Sequence, residues 1–148
     1  MRLSKRTEYG LRAVVQLARL SPSAYVQSKD VAEAEKLPNK FLESILLALR
    51  RGGFLESKVG SGGGYRLSRS PRDINIGDLI RRLEGRLTIN EKISTPDSTP
   101  SSPGRIASLI LNENLTQAMD DVLNSMSLEQ LLEQVTKRGS GQQSMYYI

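Results

Sequence analysis

The feature that most constrains this fold is a pair of short helical patterns followed directly by a glycine-tipped hairpin pattern. Ser28 is a suitable N-cap for a helix over residues 29–35. Leu37-Pro38-Asn39 then interrupts the pattern, and its proline suits the first turn of a new helix. That helix is predicted from about Asn39 to Arg51, before Gly52-Gly53 ends it. Its apolar residues recur at helical spacing and predict a buried stripe: Phe41, Leu42, Ile45, Leu46 and Leu49.

A β-hairpin is predicted immediately after the second helix. Residues 54–59 have a strand pattern, 60–64 (Gly-Ser-Gly-Gly-Gly) form a tip, and 65–68 return. A phosphate-binding loop is disfavoured because the Lys-Ser/Thr ending and a following helix are missing, and no βαβ unit supports a dinucleotide fingerprint. A plain turn remains the alternative. Basic residues in and after the two strands favour contact with a DNA backbone instead: Lys58, Arg66 and Arg69.

Two short helices, a tight turn and a hairpin predict a winged helix-turn-helix. A first helix is predicted from Ser4 or Lys5 to about Leu20, and another from Asn75 or Ile76 to Glu84. The fold class is therefore mainly α with a small β-hairpin wing, plus a long dimerisation helix. The predicted organisation is a DNA-binding domain over residues 1–88, a flexible Ser/Thr/Pro loop over 89–104, two helices over 105–138 and a flexible tail over 139–148.

The long helix is predicted from Arg105 to about Asn124, with a broad apolar face. A small winged domain cannot cover such a face alone, so pairing with a second copy is the economical solution. Packing against the first helix is the alternative. A capping-box pattern, Ser127-Leu128-Glu129-Gln130, opens a last helix that is expected to end at Val135 or Lys137, before a polar linker. The residues predicted for the dimer contact are Ile106, Leu109, Ile110, Leu115, Met119 and Val122.

The charge is unevenly distributed along the chain. Residues 1–88 carry 17 Lys/Arg and 9 Asp/Glu, whereas residues 89–148 carry 4 and 7. A basic first part with a net charge of +8 favours a polyanionic partner, although a solvated surface is the simpler alternative. No apolar run is long enough to cross a bilayer and no signal peptide is evident, so a cytoplasmic location without membrane contact is expected.

The sequence contains no cysteine and no histidine. This composition excludes disulfides, thiolate metal sites and histidine-based acid–base catalysis, and no carboxylate pair has a catalytic spacing. We therefore predict neither an enzyme nor a cofactor or metal site.

Four segments together resemble a bacterial family of winged-helix regulators, that of the iron–sulfur cluster regulator IscR and the cysteine-metabolism repressor CymR. The resemblance covers most of residues 1–88 in the family's order and spacing. It is carried by residues 3–13 (LSKRTEYGLRA), 41–43 (FLE), 62–67 (GGGYRL) and 76–85 (IGDLIRRLEG). It implies a homodimer that binds double-stranded DNA, with the second helix of each motif in the major groove and each wing at the minor groove.

The resemblance also implies which residues contact DNA. Asn39, Lys40, Phe41, Glu43 and Ser44 lie where relatives place base and backbone contacts, and a glutamate can accept from cytosine N4. A core role is preferred for Phe41. Arg6, Arg50 and Arg51 fit phosphate contacts, or solvated positions that favour a helix dipole. The remaining DNA-binding positions are expected at Ser28 and in the wing: Lys58, Val59, Gly60, Ser61, Gly62 and Tyr65.

The chain departs from the family at two places. Relatives often have an arginine in the wing where this sequence has Val59, with Lys58 beside it. Cluster-binding relatives carry three cysteines in the loop before the dimerisation helix, whereas residues 91–104 offer only hydroxyls, which are poor ligands for such clusters. The resemblance is therefore strongest to the cluster-free, cysteine-metabolism type.

The sequence ends in Tyr146-Tyr147-Ile148, which is similar to the end of the cluster-free repressors. A free carboxylate on an apolar residue mimics an amino-acid substrate, so we hypothesise that this tail binds cysteine synthase. A tail that packs on its own dimer or stays disordered is the alternative. The leading function is a sequence-specific transcriptional repressor, and the competing function is a winged-helix interaction module that does not read DNA.

Overall fold

The computed structural model of the chain describes residues 2–20, 23–87 and 102–146, with side chains up to Ser140. In these residues the chain forms six α-helices, one antiparallel hairpin and one 3-10 helix at Pro71–Asp73. The elements are α1 (Lys5–Leu20), α2 (Ser28–Glu35), α3 (Asn39–Arg51), β1 (Leu55–Lys58), β2 (Gly64–Leu67), α4 (Ile76–Glu84), α5 (Pro103–Asn124) and α6 (Leu128–Tyr146). The predicted fold class, mainly α with a hairpin wing, is confirmed.

The core lies where α1, α3 and α4 meet. The apolar side chains that these helices turn inward are fully buried or nearly so, and burial of such a side chain contributes about 1.5–3 kcal/mol. Four of the five predicted stripe residues of α3 are buried and Phe41 is not. The innermost side chains are Val14, Leu17, Leu42, Ile45, Leu46, Leu49 and Leu79.

Glu84, at the end of α4, fastens the start of α1. Its carboxylate accepts from the backbone N–H of Ser4 at 3.2 Å, from the Ser4 hydroxyl at 2.8 Å and from the buried Thr7 hydroxyl. The Thr7 hydroxyl chiefly, helped by Ser4 and opposed by partial burial, holds the pKa of Glu84 below its ordinary value. A carboxylate at a helix N-terminus also suits the helix dipole.

The end of α5 is joined to the winged domain. The backbone N–H of Ile76 donates to the Met126 carbonyl at 2.9 Å, and that of Leu128 donates to the Ile74 carbonyl at 2.9 Å. The side chain of Leu128 is fully buried in the core of the winged domain. The predicted capping box is confirmed, because Ser127 N–H donates to the Gln130 amide oxygen and Gln130 N–H donates to the Ser127 hydroxyl.

Several predicted boundaries are corrected. Gln27, not Ser28, is the N-cap of α2, and Pro38 is the N-cap of α3 and lies just before its first turn. Gly64 belongs to β2 and not to the tip. Each boundary moves by about one residue, as is usual for helix and strand ends.

The two C-terminal helices are longer than predicted. The long helix begins at Pro103, since the Ser102 hydroxyl caps it by accepting from Arg105 N–H at 3.2 Å. The last helix continues to Tyr146, through the segment 139–144 that was predicted as a linker, because glycine in a helix costs only about 1 kcal/mol relative to alanine. The predicted Ser/Thr/Pro loop falls largely within residues 88–101, which lie outside the described residues. The same holds for Tyr147 and Ile148 of the predicted partner-binding tail.

Candidate DNA-binding surface

The outer face of α3 is polar and exposed. Leu42, Ile45, Leu46 and Leu49 fix the helix to the core, which turns the intervening positions to solvent. The predicted contact residues Asn39, Lys40, Glu43, Ser44 and Arg50 all lie on this exposed side. This face thus carries an amide, an ammonium, a carboxylate and a hydroxyl, which can form hydrogen bonds with base edges and phosphates.

A polar cluster joins the first turn of α2 to α3. The Glu43 carboxylate accepts from the Ser28 hydroxyl and from the Asn39 amide, both at 3.5 Å. These hydrogen bonds are at the long limit of the geometry and hold the side chains weakly. The structure thus brings together three residues that are predicted to contact DNA, and it leaves the acceptor capacity of Glu43 largely unused.

Phe41 lies at the border of the surface and not in the core, which corrects the preferred interpretation of this residue. Its side chain is 37% exposed, and its ring packs edge-on against Tyr9 of α1, with centroids 5.7 Å apart. Its carbonyl accepts from the Ser44 hydroxyl at 2.8 Å. The Ser44 oxygen keeps free lone pairs, whereas its hydroxyl must leave this bond before it can donate to a phosphate.

The wing is bound to the segment that leads into α2. Val26 and Tyr65 exchange two backbone hydrogen bonds of 2.8 Å as an isolated antiparallel bridge. Gly64 permits this approach, because a Cβ there would lie 2.3 Å from the Val26 carbonyl oxygen, and its φ of +138° is one that side chains rarely adopt. The base of the wing, the start of α2 and the face of α3 are therefore connected through residues 26, 28, 43 and 65.

The tip of the wing is presented to solvent. β1 and β2 pair from Leu55 with Leu67 to Lys58 with Gly64, and the turn is closed by a backbone bond from Gly63 to Gly60 at 3.0 Å. Val59 is 96% exposed, an unusual state for a large apolar residue. Lys58, Gly60, Ser61 and Gly62 are exposed beside it, and Tyr65 at the base is half-buried.

The basic residues divide into two groups. Arg66, which the sequence suggested for the DNA backbone, is engaged inside the chain: it pairs with Glu56 at 3.0 Å, donates to the Ser23 carbonyl and stacks on Tyr25 at 4.4 Å. Arg69 stacks on Phe54 at 5.5 Å. Within the described part of the chain, by contrast, no ion pair involves four of the predicted phosphate contacts, which are Arg6, Lys40, Arg50 and Lys58.

One exposed cation beside the surface, Lys29, was not predicted from the sequence as a DNA-binding residue, whereas Arg51 was predicted as a phosphate contact. Lys29 is exposed next to Ser28, and Arg51 is exposed at the end of α3. The position of Lys29 in the first turn of a helix-turn-helix is the signal that would have selected it.

The predicted dimer residues divide between two sides of α5. Ile106, Ile110, Leu115 and Val122 are exposed, whereas Leu109 is half-buried and Met119 packs on the core of its own chain. Leu111, 59% exposed, belongs with the exposed set and was missed. Within the chain α5 packs against α4.

Comparison with known proteins decides the family. The family model described as "Rrf2: Iron-dependent Transcriptional regulator" matches residues 3–134. The chain belongs to the Rrf2 family. The sequence resemblance to IscR and CymR is thereby confirmed, and this Rrf2 protein is a DNA-binding transcription regulator and not an enzyme.

Individual relatives agree in sequence and in fold. This Rrf2 protein is 31% identical to the transcriptional regulator CymR of Bacillus subtilis over 148 residues, and the match covers 100% of both chains. It is 35% identical to the transcriptional regulator NsrR of the same organism over 91 residues, which cover 62% of each chain. The solved structure of T. potens IscR has a TM-score of 0.71 at 31% identity and covers 91% of this chain and 88% of its own. The solved structure of B. subtilis CymR, described as the global cysteine regulator of that organism, has a TM-score of 0.73 at 30% identity and covers 90% of this chain and 97% of its own.

The residues of this Rrf2 protein do not fit the iron named in the family description. The whole sequence lacks cysteine and histidine, the usual protein ligands of iron–sulfur clusters. In the described ranges, no three acidic side chains converge as a metal-binding group. Among the same residues, no helix is long and apolar enough to span a membrane.

Proposed function

We propose that this Rrf2 protein is a homodimeric, sequence-specific transcriptional repressor that reads the major groove with α3 and contacts the minor groove with the wing. The observation that supports this most is the continuous surface formed by the start of α2, the outer face of α3 and the wing. Asn39 and Glu43 there offer base-reading groups, and Lys40 and Lys58 offer cations without internal ion pairs in the described residues.

A salt titration of DNA binding tests the surface. The logarithm of the association constant should fall with the logarithm of salt concentration, with a slope of about −0.9 per phosphate contact. Lys40→Ala should weaken binding to all sequences and reduce that slope by about 1. Glu43→Gln should instead relax the preference at one base pair and leave the slope unchanged. An unaltered site preference in Glu43→Gln would refute its reading role, and no binding to genomic fragments would favour the interaction module.

The proposed dimer contact is the exposed apolar side of α5. Ile106, Ile110, Leu111, Leu115 and Val122 are 45–59% exposed along one 22-residue helix. A second copy is the partner that fits, because a twofold axis lets one apolar strip cover itself. Leu111→Glu should convert the dimer to a monomer in analytical ultracentrifugation. Leu20→Glu makes the same change at a leucine of α1 that is 51% exposed; it is the matched control and should remain dimeric.

The finer proposal is control of cysteine or sulfur metabolism through cysteine synthase. It is supported by the end-to-end match with CymR, a global cysteine regulator, and by the tail Tyr146-Tyr147-Ile148. Calorimetric titration of cysteine synthase with the intact chain should show binding that a chain lacking Ile148 loses. Equal binding by the two, or none by either, would leave the DNA-binding proposal standing and remove this one.

A further inference from the structure

The contact between α4 and α5 is built around one arginine. Arg81 Nη1 lies 3.4 Å from an oxygen of Asp120, and its Nη2 lies 3.1 Å from Asp78 and also donates to the side chain of Asn124. Asp120 and Asn124 are four residues apart and therefore occupy successive turns on one side of α5. A single guanidinium on α4 thus holds two turns of α5.

The surrounding residues are adapted to this contact. A Cβ at Gly77 would lie 2.3 Å from the Asn124 side-chain oxygen and 2.8 Å from Arg81 Nη2, so a side chain there would displace the two groups that form this contact. Asn75 uses both ends of its amide: the oxygen caps α4 by accepting from Asp78 N–H at 3.0 Å, and the nitrogen donates to the Asn124 carbonyl at 2.7 Å. The end of α4 facing α5 is therefore organised to receive the last turns of that helix.

The position of the end of α5 and the direction of its axis are fixed by different groups. The two backbone bonds between residues 74–76 and 126–128, with buried Leu128, fix where the end of α5 lies. Met119 and Leu123 of α5 also pack against the core, but apolar packing is non-directional and leaves the tilt of the helix less well defined. Arg81 adds a second point at Asp120, one turn nearer the start of α5, and two points define a direction.

We propose that Arg81 is a positioning residue for DNA recognition: by fixing the angle between α5 and the winged domain, it sets the spacing between the two half-sites that the dimer reads. This inference rests on the proposed dimeric DNA-binding function. In such a dimer α5 joins the two copies, so any pivot at its end moves the two α3 helices relative to each other. Binding to half-sites one helical turn apart depends on that separation.

A small pivot is enough to matter. A domain of about 90 residues has a radius of gyration of about 12 Å and hence a diameter of about 30 Å, so its far face lies about 30 Å from a joint on its surface. A rotation of about 6–7° moves that face by about 3.4 Å, which is the rise of one base pair. Loss of the Arg81 contact should therefore change tolerance to spacing and leave the recognition of each half-site unchanged.

The first test measures spacing tolerance. Sites selected from a random DNA library by the wild-type protein are rebuilt with the half-sites one or two base pairs closer or farther apart. The affinity of the wild-type protein should fall about tenfold for each base pair by which the spacing departs from the selected one, and that of Arg81→Ala about threefold or less. Arg81→Lys should be intermediate, since an ammonium can pair with Asp120 but lacks the fork that also reaches Asn124. Arg19→Ala, which removes an exposed arginine from α1, controls for lost charge and should keep the wild-type profile.

The second test does not require DNA. Because the chain has no cysteine, a single Lys29→Cys substitution gives one spin label per copy, and pulsed electron resonance measures the distance between the two labels of a dimer. Arg81→Ala should broaden or shift that distribution by about 3 Å or more relative to the wild-type background. An unchanged distribution together with an unchanged spacing profile would overturn the inference. A protein that shows the shift but binds no DNA would refute the proposed function together with the role in half-site spacing, and would support only the part of the inference in which Arg81 fixes the angle of α5.

Discussion

Replacement of Gly64 by alanine tests the connection between the wing and α2. The added Cβ would lie 2.3 Å from the Val26 carbonyl oxygen, and the residue would have to keep a φ of +138°. Such backbone strain costs about 1–3 kcal/mol. Loss of the two hydrogen bonds between Val26 and Tyr65 would add about 0.5–1.5 kcal/mol each. The free energy of unfolding should therefore fall by about 2–6 kcal/mol.

Gly62→Ala is the matched control for this prediction. Gly62 also has a positive φ, +73°, but nothing lies within 4 Å of the position a Cβ would take. Alanine there should lower the free energy of unfolding by only about 1–2 kcal/mol. Urea denaturation followed by circular dichroism measures both variants, and fluorescence anisotropy measures their affinity for DNA. Equal stability and equal affinity in the two variants would show that the bridge does not position the wing.

Three further predictions concern residues that hold the domain together. The lowered pKa of Glu84 means that its ionised form stabilises the fold; this stabilisation is complete at neutral pH and is lost as the pH falls through the folded-state pKa. Glu84→Gln should therefore reduce the free energy of unfolding by about 1 kcal/mol at pH 7 and by progressively less below about pH 4. A difference in unfolding free energy that does not change with pH would contradict this. Leu128→Ala should cost about 2–5 kcal/mol in denaturant unfolding, and a loss below about 1 kcal/mol would mean that the end of α5 is not anchored by this side chain. Arg66→Ala should leave the salt slope of DNA binding unchanged while Lys58→Ala reduces it, because Arg66 is already paired with Glu56; a reduced slope in both would place Arg66 on the DNA.

Local patterns in the sequence predicted the elements well. The helix over residues 76–84, with Asn75 as N-cap and Gly85 after its end, follows from capping chemistry that acts within a few residues. The reciprocal Ser127–Gln130 capping box is another such case. The family resemblance over residues 1–88 predicted the winged fold for the same reason, since its motifs are the caps, turns and apolar positions of these elements.

Contacts between distant residues were not predictable in this way. Val26 and Tyr65 are 39 residues apart, as are Arg81 and Asp120, and no spacing rule relates them. The engagement of Arg66 with Glu56 and Tyr25 is another example, because in the sequence it is indistinguishable from a cation that faces DNA. Phe41 was predicted as core because it fits the helical period, but its position at the edge of the stripe leaves it beside Tyr9 at the surface.

The exposure of Val59 has a consequence for how this regulator evolves. A side chain that is 96% exposed has almost no neighbours within its own chain, so substitutions there should be nearly neutral for folding and additive with changes elsewhere. A change at this position acts on whatever the wing touches and on little else. Mutation at the tip can therefore adjust the strength of binding in small steps, without the stability losses that substitutions in α3 or the core would bring.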